Sequence, residues 1–249
     1  MQYGIAHLSM VPLRETPNHP SEQISQVLYG ELFKVLEVRK KWSRIRLAFD
    51  KYEGWIDNNQ YSFCTEEQYK EFNALSPVLC NNLVDFIVMD NEQLMPVFQG
   101  ISIHTLPILG HHFEGTTIEG KQTKDQLIAT ALSYLNTPYQ WGGKTPFGID
   151  CSGFSQIVYK LNGYQLKRDA SLQATQGEAL SFIEESEPGD LAFFDNEEGK
   201  ITHVGIMMKD NYIIHAHGKV RIDRIDHTGI FNVEKRIHTH KLRVIKRII

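Results

Sequence analysis

The sequence predicts two small β modules followed by an α+β domain, and three observations support this prediction. Up to about residue 115 the chain consists of short strand patterns between turn signals, whereas after residue 118 two helical patterns precede several strands. The stretch between them, GHHFEGTTIEGKQTKD, is rich in glycine and threonine, as is typical of a boundary. We therefore predict domains at residues 1–62, 63–117 and 118–249.

The strands of the first two modules are identified by alternation of apolar and polar residues. This pattern runs through ELFKVLEVRKKWSRIRLAFDKYEGWID and suits the antiparallel strands of a small barrel. A second run, LVDFIVMDNEQLMPVFQGISIHTLPI, places turn residues between apolar segments and predicts a second β module. TEEQYKEFNALS, residues 65 to 76, predicts a short helix that joins the two.

The last domain changes from helical to strand periodicity along its length. KDQLIATALSYLNTP has apolar residues at helical spacing and ends at Pro138, and CSGFSQIVYKLNG has the same spacing and ends at Gly163. PGDLAFFDN, THVGIMMKDNYIIHAHG and HKLRVIKRII follow with strand patterns. Helices ahead of an antiparallel sheet predict an α+β domain.

Composition and charge exclude several classes of partner. The chain is 41% hydrophobic with a net charge of -4, which gives no electrostatic reason to bind nucleic acid or an acidic membrane. No apolar run approaches the roughly 20 residues that a bilayer requires, and the first residues lack a secretory pattern. We expect a cytoplasmic protein; a periplasmic or secreted location is the alternative if a leader has been removed. The sequence leaves the oligomeric state open.

The motif GIDCSGFSQIVYK places Cys151 in the first turn of a predicted helix, with Asp150 as its cap. Unpaired backbone N–H groups and the helix dipole favour a thiolate there, and the thiolate is the nucleophilic form of cysteine. The competing interpretation is a buried cysteine that acts as a small apolar residue. The three cysteines lie far apart, so we expect free thiols.

A cysteine nucleophile needs a base, and the base needs an orienting group. His203 begins an alternating strand, and His215 lies on the next strand after a turn signal at residues 209 to 211. In an antiparallel hairpin the two side chains can share one face. We therefore predict that His203 takes the thiol proton and that His215 fixes its ring.

Metal binding is the alternative use of the 11 histidines. HAH at 215–217 and HTH at 238–240 could each present two ligands on one strand face, and HH at 111–112 adds a third pair. No CxxC or HExxH motif accompanies them, and a solvated strand explains His238 and His240. We predict no metal and no cofactor.

Four blocks together resemble a known family. TPYQWGGKTPFGIDCSGFSQIVYK, EPGDLAFF, THVGIMM and YIIHAHG are similar, in this order, to the NlpC-type papain-like cysteine peptidases that cut bacterial cell-wall peptides. The resemblance spans about residues 120–249 and implies a papain-like α+β domain. It also implies that Cys151 is the nucleophile, His203 the base and His215 the orienting residue. The Cys151 N–H would hold the oxyanion with the Tyr139 hydroxyl; for Tyr139 a packed aromatic is the alternative.

The N-terminal half resembles a bacterial SH3-like domain. VPLRETPNHPSEQISQVLYGELFKVLE and WSRIRLAFDKYEGWID are similar to the domain that precedes the peptidase in γ-D-glutamyl-L-diamino acid endopeptidases of muropeptide recycling. That subfamily carries two SH3-like barrels, so the resemblance implies two here. It further implies a peptidoglycan-derived peptide substrate that begins with a free L-Ala-γ-D-Glu. The same modules could instead anchor a protein to the cell wall.

A free amino end requires partners for its ammonium, because burying an unpaired charge is costly. Asp150 and Asp169 are the first candidates, and Glu22 and Tyr52 of the SH3-like domain are the second. The alternatives are a helix cap for Asp150, a turn residue for Asp169, a surface charge for Glu22 and a strand residue for Tyr52. Three further residues are candidates to line the dipeptide pocket: Trp141, Ser152 and Ser171.

Two other functions stay open from the sequence. An exported wall hydrolase would act on intact stem peptides, and it would accept a blocked amino end. An inactive peptidase fold could serve as a peptide-binding module, although the presence of Cys151, His203 and His215 argues against it.

Overall fold

A computed structural model describes all residues from Met1 to Ile249, in two compact units, Met1–Lys121 and Gln122–Ile249. The sequence places the boundary at residue 118. Residues 117 to 119 stay with the first unit because they form a strand paired to residues 78 to 80.

The first unit contains eleven strands and two helices. They are β1 (Gln2–Ile5), β2 (Met10–Arg14), β3 (Gln23–Leu28), β4 (Leu32–Val38), β5 (Trp42–Leu47), β6 (Glu53–Asp57), β7 (Ser62–Cys64), α1 (Glu66–Ala74), β8 (Val78–Cys80), β9 (Val84–Val88), β10 (Leu94–Phe98), α2 (Leu106–Leu109) and β11 (Thr117–Glu119). The predicted helix between the two β runs is confirmed as α1, which Thr65 caps.

The strands β1 to β7 form one antiparallel sheet in the order β3-β2-β6-β5-β4-β1-β7. The predicted alternation is present in β5, where Ile45 and Leu47 are buried while Arg44 and Arg46 are exposed. The inward residues form one apolar cluster that includes Phe33. Burial of alternate residues therefore holds this sheet together.

A second barrel over residues 63–117 is not confirmed. The segment contains two separate two-stranded ladders, β8 with β11 and β9 with β10, and β7 belongs to the first sheet through its pairing with β1. An isolated pair of strands is marginal in water, so these ladders depend on contacts with their surroundings. One such contact is the hydrogen bond from the Thr105 hydroxyl to the Gly30 carbonyl, 3.0 Å long.

The second unit contains three helices and nine strands. They are α3 (Lys124–Ser133), β12 (Lys144–Thr145), β13 (Gly148–Ile149), α4 (Cys151–Leu161), α5 (Ala170–Gln173), β14 (Glu178–Leu180), β15 (Leu191–Asp195), β16 (Ile201–Met207), β17 (Tyr212–His217), β18 (Lys219–Ile225), β19 (Gly229–Asn232) and β20 (Ile237–Arg247). None of the helices is both long and apolar enough to cross a bilayer.

The predicted helices of this unit are confirmed as α3 and α4, and α4 lies at its centre. All eleven residues of α4 are buried, and the helix packs on α3, β16 and β17. The sheet has the order β14-β20-β15-β16-β17-β18-β19, and a further pairing of β19 with β20 closes strands β15 to β20 into a ring. Helix and sheet together give an α+β unit.

The inner face of this ring is apolar for most of its length. It carries the buried residues Ala192, Phe194, Met207, Ile213, Ile225, Ile230 and Ile245. Because alternate residues of a strand share a face, His203 lies on the same face as Met207, and His215 on the same face as Ile213. The two histidines therefore form a polar layer at one end of an apolar core.

Gly229 makes the closure of the ring possible, which leads to a test of stability. Its φ is +144°, and a Cβ there would lie 1.8 Å from the backbone oxygen of His240 on β20. We expect Gly229→Ala to lower the free energy of unfolding by about 3 kcal/mol or more, because both the strained backbone and the contact must be relieved.

Gly199 is the matched control, since its φ is +75° but no atom lies within 4 Å of its Cβ position. Gly199→Ala should cost only about 1 kcal/mol, the penalty of a left-handed alanine. Urea unfolding measures both values, and equal losses would contradict the role assigned to Gly229.

Candidate active site

Cys151 is the first residue of α4, directly after its N-cap Asp150, and it is only 6% exposed. The backbone N–H groups of Val204 and Ser152 favour the charged form of this thiol and so lower its pKa. Val204 follows His203 on β16, so the start of the helix meets the sheet at the histidine that the sequence selects as base.

Burial determines the protonation of this cysteine. It raises the pKa of the Cys151 thiol to about 12, assisted by the charge of Asp150 and opposed by the N–H of Val204, by Arg168 and by the N–H of Ser152. The sequence favoured a thiolate at the helix N-terminus, but the cost of burying the charge is larger than the stabilisation by the N–H groups. The resting group is therefore a thiol, which needs a base to become a nucleophile.

His203, which the sequence predicts to be the base, belongs to a chain of buried hydrogen bonds. His203 Nε2 lies 2.8 Å from His215 Nδ1, and His215 Nε2 lies 3.1 Å from Asp223 Oδ2. Arg221 donates to both oxygens of Asp223, from Nε at 2.7 Å and from Nη2 at 3.0 Å. His215 and Asp223 are each 1% exposed at the side chain, so no solvent competes for these bonds.

The carboxylate at the end of this chain sets the position of every proton in it. Asp223 accepts a hydrogen bond, so the proton of a neutral His215 lies on Nε2 and its Nδ1 is an acceptor. His203 must then donate from Nε2, which leaves the lone pair of its Nδ1 able to accept a proton. The geometry thus selects the imidazole tautomer that a general base requires.

Sequence reasoning missed Asp223 and Arg221 because it assigned no strand after HAHG. The segment KVRIDRI alternates apolar and charged residues and forms β18, in register with β17. That alternation was the available signal. A carboxylate on a strand beside His215 was the expected partner for a histidine that orients another histidine.

Two further histidine rings surround His203. The ring of His240 stacks on it with centroids 4.2 Å apart, and His217 meets His240 edge to face at 4.8 Å. The sequence assigned both histidines of HTH to a solvated strand, which holds for the exposed His238 but not for the partly buried His240. These rings contact one another, and no group of three or more potential ligands in the chain is arranged to hold a metal ion.

The environment of His203 keeps its ring neutral. Burial lowers the pKa of His203 well below its usual value, and His215, His240 and His217 lower it further. Burial also lowers the pKa of His240 to about 3. A neutral imidazole is the form that can accept a proton from a thiol.

Asp150 is held within the unit by donors on three sides. It accepts from the backbone N–H of Gly142 at 2.8 Å and of Gly153 at 2.6 Å, and Arg168 binds both of its oxygens at 3.0 and 2.6 Å. Ser152 adds a fifth bond at 3.3 Å. These contacts match the helix-cap interpretation of Asp150. The partner Arg168 is 2% exposed at its side chain and was not singled out from the sequence.

The other predicted site residues differ in placement. Tyr139 is 36% exposed, its hydroxyl makes no hydrogen bond, and its pKa is raised by burial and then by the charges of Cys151 and Asp150. Ser171 is exposed on α5, and Asp169 is half-buried directly before that helix. Trp141 is 61% exposed. Two residues belong to the first unit, the exposed Glu22 and the half-buried Tyr52.

A buried cysteine at a helix N-terminus, together with an oriented neutral histidine on the sheet of the same unit, is the residue set of a cysteine peptidase. Comparison with known proteins gives the same class. Residues 136–238 match the NlpC/P60 family, and residues 13–60 match the bacterial dipeptidyl-peptidase Sh3 domain. The protein is therefore a cysteine peptidase with an NlpC/P60 domain and an N-terminal SH3 domain of the bacterial dipeptidyl-peptidase type.

Two curated relatives match most of the chain. The γ-D-glutamyl-L-lysine dipeptidyl-peptidase of Bacillus subtilis is 28% identical over 77% of this chain and 71% of its own length. Dipeptidyl-peptidase 6 of Lysinibacillus sphaericus is 24% identical over 87% and 89%. A solved NlpC/P60 family protein from Bacillus cereus covers 99% of both chains at 18% identity with a TM-score of 0.77, which establishes a similar fold.

The role of Asp223 can be tested with an isosteric substitution. In Asp223→Asn the amide can donate to His215 Nε2, which would reverse both imidazole tautomers and place a proton on the nitrogen that must accept one. We expect kcat to fall about tenfold to a hundredfold, the usual effect of losing a partner that orients a functional histidine. Peptide hydrolysis at saturating substrate measures this effect.

Asp210→Asn is the control, because Asp210 lies on the exposed turn between β16 and β17. It should leave kcat unchanged. If Asp223→Asn retained full kcat while the protein stayed folded, the proposed control of the tautomer would be wrong.

The lowered pKa of His203 predicts the pH dependence of Cys151 reactivity. A lowered pKa keeps the imidazole unprotonated into acid, so base activity persists below pH 6.5 and disappears only as pH falls through the lowered value. Alkylation of Cys151 by neutral iodoacetamide, followed by peptide mass spectrometry, should show this acid limb. A fall in the alkylation rate already at or above pH 6.5 would contradict the prediction. In His203→Asn, the fall in the alkylation rate that is due to protonation of His203 should be absent.

Proposed function

We propose that the protein hydrolyses the γ-D-glutamyl bond to an L-diamino acid in peptidoglycan-derived peptides with a free amino-terminal L-alanine. The observation that carries the proposal is the hydrogen-bond chain from Asp223 through His215 to His203, next to the point where β16 contacts the Cys151 sulfur. This arrangement supplies a nucleophile and an oriented base without any further group.

The chemistry proceeds through an acyl-enzyme. His203 Nδ1 takes the proton of Cys151 as the sulfur attacks the γ-carbonyl carbon of the D-glutamyl residue, and the backbone N–H of Cys151 stabilises the oxyanion. The Tyr139 hydroxyl, which has no other hydrogen bond, is the second donor. His203 then passes its proton to the departing amine of the diamino acid. Water, deprotonated by His203, hydrolyses the thioester and releases L-Ala-D-Glu.

The bond specificity is supported by the relatives. The curated relatives from Bacillus subtilis and Bacillus cereus are both named as γ-D-glutamyl-L-lysine dipeptidyl-peptidases, the second being 39% identical over 37% of this chain. The presence of a dipeptidyl-peptidase type of SH3 domain at residues 13–60 supports removal of a dipeptide from a free amino end.

Asp150 and Asp169 are the candidates for the ammonium partner within the catalytic unit. Asp150 accepts five hydrogen bonds, and Asp169 is half-buried directly before α5. Glu22 and Tyr52 are the candidates from the SH3 domain, and Ser152, Ser171 and Trp141 are the candidates for the dipeptide pocket. A soluble peptide substrate agrees with a role in recycling wall peptides in the cytoplasm, which forms part of the proposal.

The deciding experiment compares three reactions by chromatography and mass spectrometry. The substrates are L-Ala-γ-D-Glu-L-Lys and the same peptide with an acetylated amino terminus, and the free peptide is also given to Cys151→Ala. We expect L-Ala-D-Glu and lysine from the free peptide alone. The variant should lose about 10³-fold or more of the rate, because no other group replaces the nucleophile.

Each other outcome points to a different function. Equal cleavage of the acetylated peptide would indicate a wall hydrolase that acts on longer stem peptides. Failure to cleave either peptide, with Cys151 still reactive to iodoacetamide, would refute the proposed substrate.

A further inference from the structure

The hydrogen bond to His215 holds the ring of His203 at one nitrogen. It joins His203 Nε2 to His215 Nδ1 at 2.8 Å. The torsion that turns an imidazole about its Cβ–Cγ bond has a broad energy minimum, so one hydrogen bond locates Nε2 but still allows the ring plane to tilt. A tilting ring would present the Nδ1 lone pair in varying directions. A base that must accept a proton in one direction therefore needs a second contact on its plane.

The ring of His240 makes this second contact. It stacks on the ring of His203 with centroids 4.2 Å apart and with planes inclined at 26°. Rings at this separation have atoms near their van der Waals contact distance. A tilt of His203 towards His240 would therefore bring atoms of the two rings too close together.

His240 is in turn held by its own neighbours. Its Nδ1 lies 2.9 Å from the Thr239 hydroxyl, which lies 3.4 Å from the backbone oxygen of Ile230 on β19. The ring of His217 meets it edge to face, with centroids 4.8 Å apart and planes at 88°. These contacts restrain the ring of His240, so it can act as a fixed surface for His203.

The two stacked rings meet across one strand of the closed ring of strands. β15 lies between β16, which carries His203, and β20, which carries His240. Phe194 on β15 is directly opposite His203 in register and is 1% exposed. Its ring centroid lies 5.7 Å from that of His203 and 6.0 Å from that of His240, within the range of aromatic contacts. The stack is therefore packed against a buried side chain.

The stack is compatible with proton transfer to His203. A positive charge on His240 would oppose protonation of His203, and in this way His240 contributes to the lowered pKa of the base. Burial lowers the pKa of His240 itself to about 3, so its ring is uncharged at neutral pH. The face of an uncharged aromatic ring attracts a cation, which favours the imidazolium that forms during the reaction.

We propose that His240 is a positioning residue of the peptidase, whose ring holds the imidazole plane of His203 in the orientation in which Nδ1 acts as the base. This inference rests on the proposed function through the role of His203. It does not depend on which peptide the enzyme cleaves.

Three substitutions separate the flat ring from the space that it fills. His240→Ala removes the ring, His240→Leu fills a similar volume without a flat face, and His240→Phe keeps a flat ring without nitrogen atoms. We expect the first two to lower kcat and the rate of Cys151 alkylation by iodoacetamide about tenfold with KM unchanged, because small displacements of a catalytic group cost up to about a hundredfold. His240→Phe should retain at least about a third of both rates.

A double-substitution cycle shows whether His240 acts through His203. Alkylation of Cys151 by excess reagent requires no base once some thiol has ionised, so it can be measured in His203→Asn. In that background His240→Ala should change the alkylation rate by less than about twofold. An equal loss in both backgrounds would overturn the proposal, because His240 would then act on Cys151 or on the fold directly.

His238→Ala is the matched control, because His238 lies on the same strand with an exposed side chain that contacts Asp226 at 2.9 Å. It should leave kcat and the alkylation rate within about twofold of the wild type. Urea unfolding identifies any variant that has lost its fold, and His240→Leu replaces His240→Ala in the cycle if the alanine variant does not fold.

The outcomes separate this inference from the proposed function. Wild-type rates in His240→Leu would overturn the positioning role, because a flat ring would then be unnecessary. Failure of the wild type to cleave L-Ala-γ-D-Glu-L-Lys would refute the proposed substrate. The effect of His240 on alkylation would still be measurable in that case, and a tenfold loss that requires His203 would support the positioning role.

Discussion

The hydrogen bond between His215 and Asp223 determines the chemistry of the whole site. An ionised carboxylate can only accept hydrogen bonds, so Asp223 fixes the donor in this contact as His215 Nε2. The tautomers of His215 and then of His203 follow from that donor. The buried charge of Asp223 is in turn compensated by Arg221, which donates to both oxygens. Without this arginine the Asp223 carboxylate would be an uncompensated charge in the interior. It could then no longer determine which nitrogen of each imidazole carries the proton.

The helix side of the site is built in the same way. Asp150 holds the start of α4 and the glycine loop before it, and Arg168 compensates its charge. The predicted nucleophile Cys151 and the predicted base His203 are thus each supported by a buried aspartate paired with an arginine. The two supports use different elements, a helix N-terminus for Asp150 and a strand pair for Asp223.

The sequence was sufficient where local periodicity and short motifs carry the information. Such patterns predict the helices α1, α3 and α4. They also predict the strands β16 and β17, which carry His203 and His215. His240 does not, because it reaches His203 only through a long strand that changes register twice and pairs with both β15 and β19. Asp223 and Arg168 likewise acquire their roles from contacts across the fold. The sequence predicted a second barrel from the strands that form the ladders β8–β11 and β9–β10. Alternation indicates that a segment is a strand, but it does not indicate how many strands join in one sheet.

Closure of the ring has a consequence for how the catalytic unit opens. The strands β16, β17 and β18 each have a hydrogen-bonded neighbour on both sides, so none of them presents a free edge. Separating β16 from β17 therefore requires opening the ring rather than fraying a terminal strand. We expect the hydrogen-bonded amides of these strands to exchange slowly, because the strands of a closed core open only at free energies close to that of global unfolding.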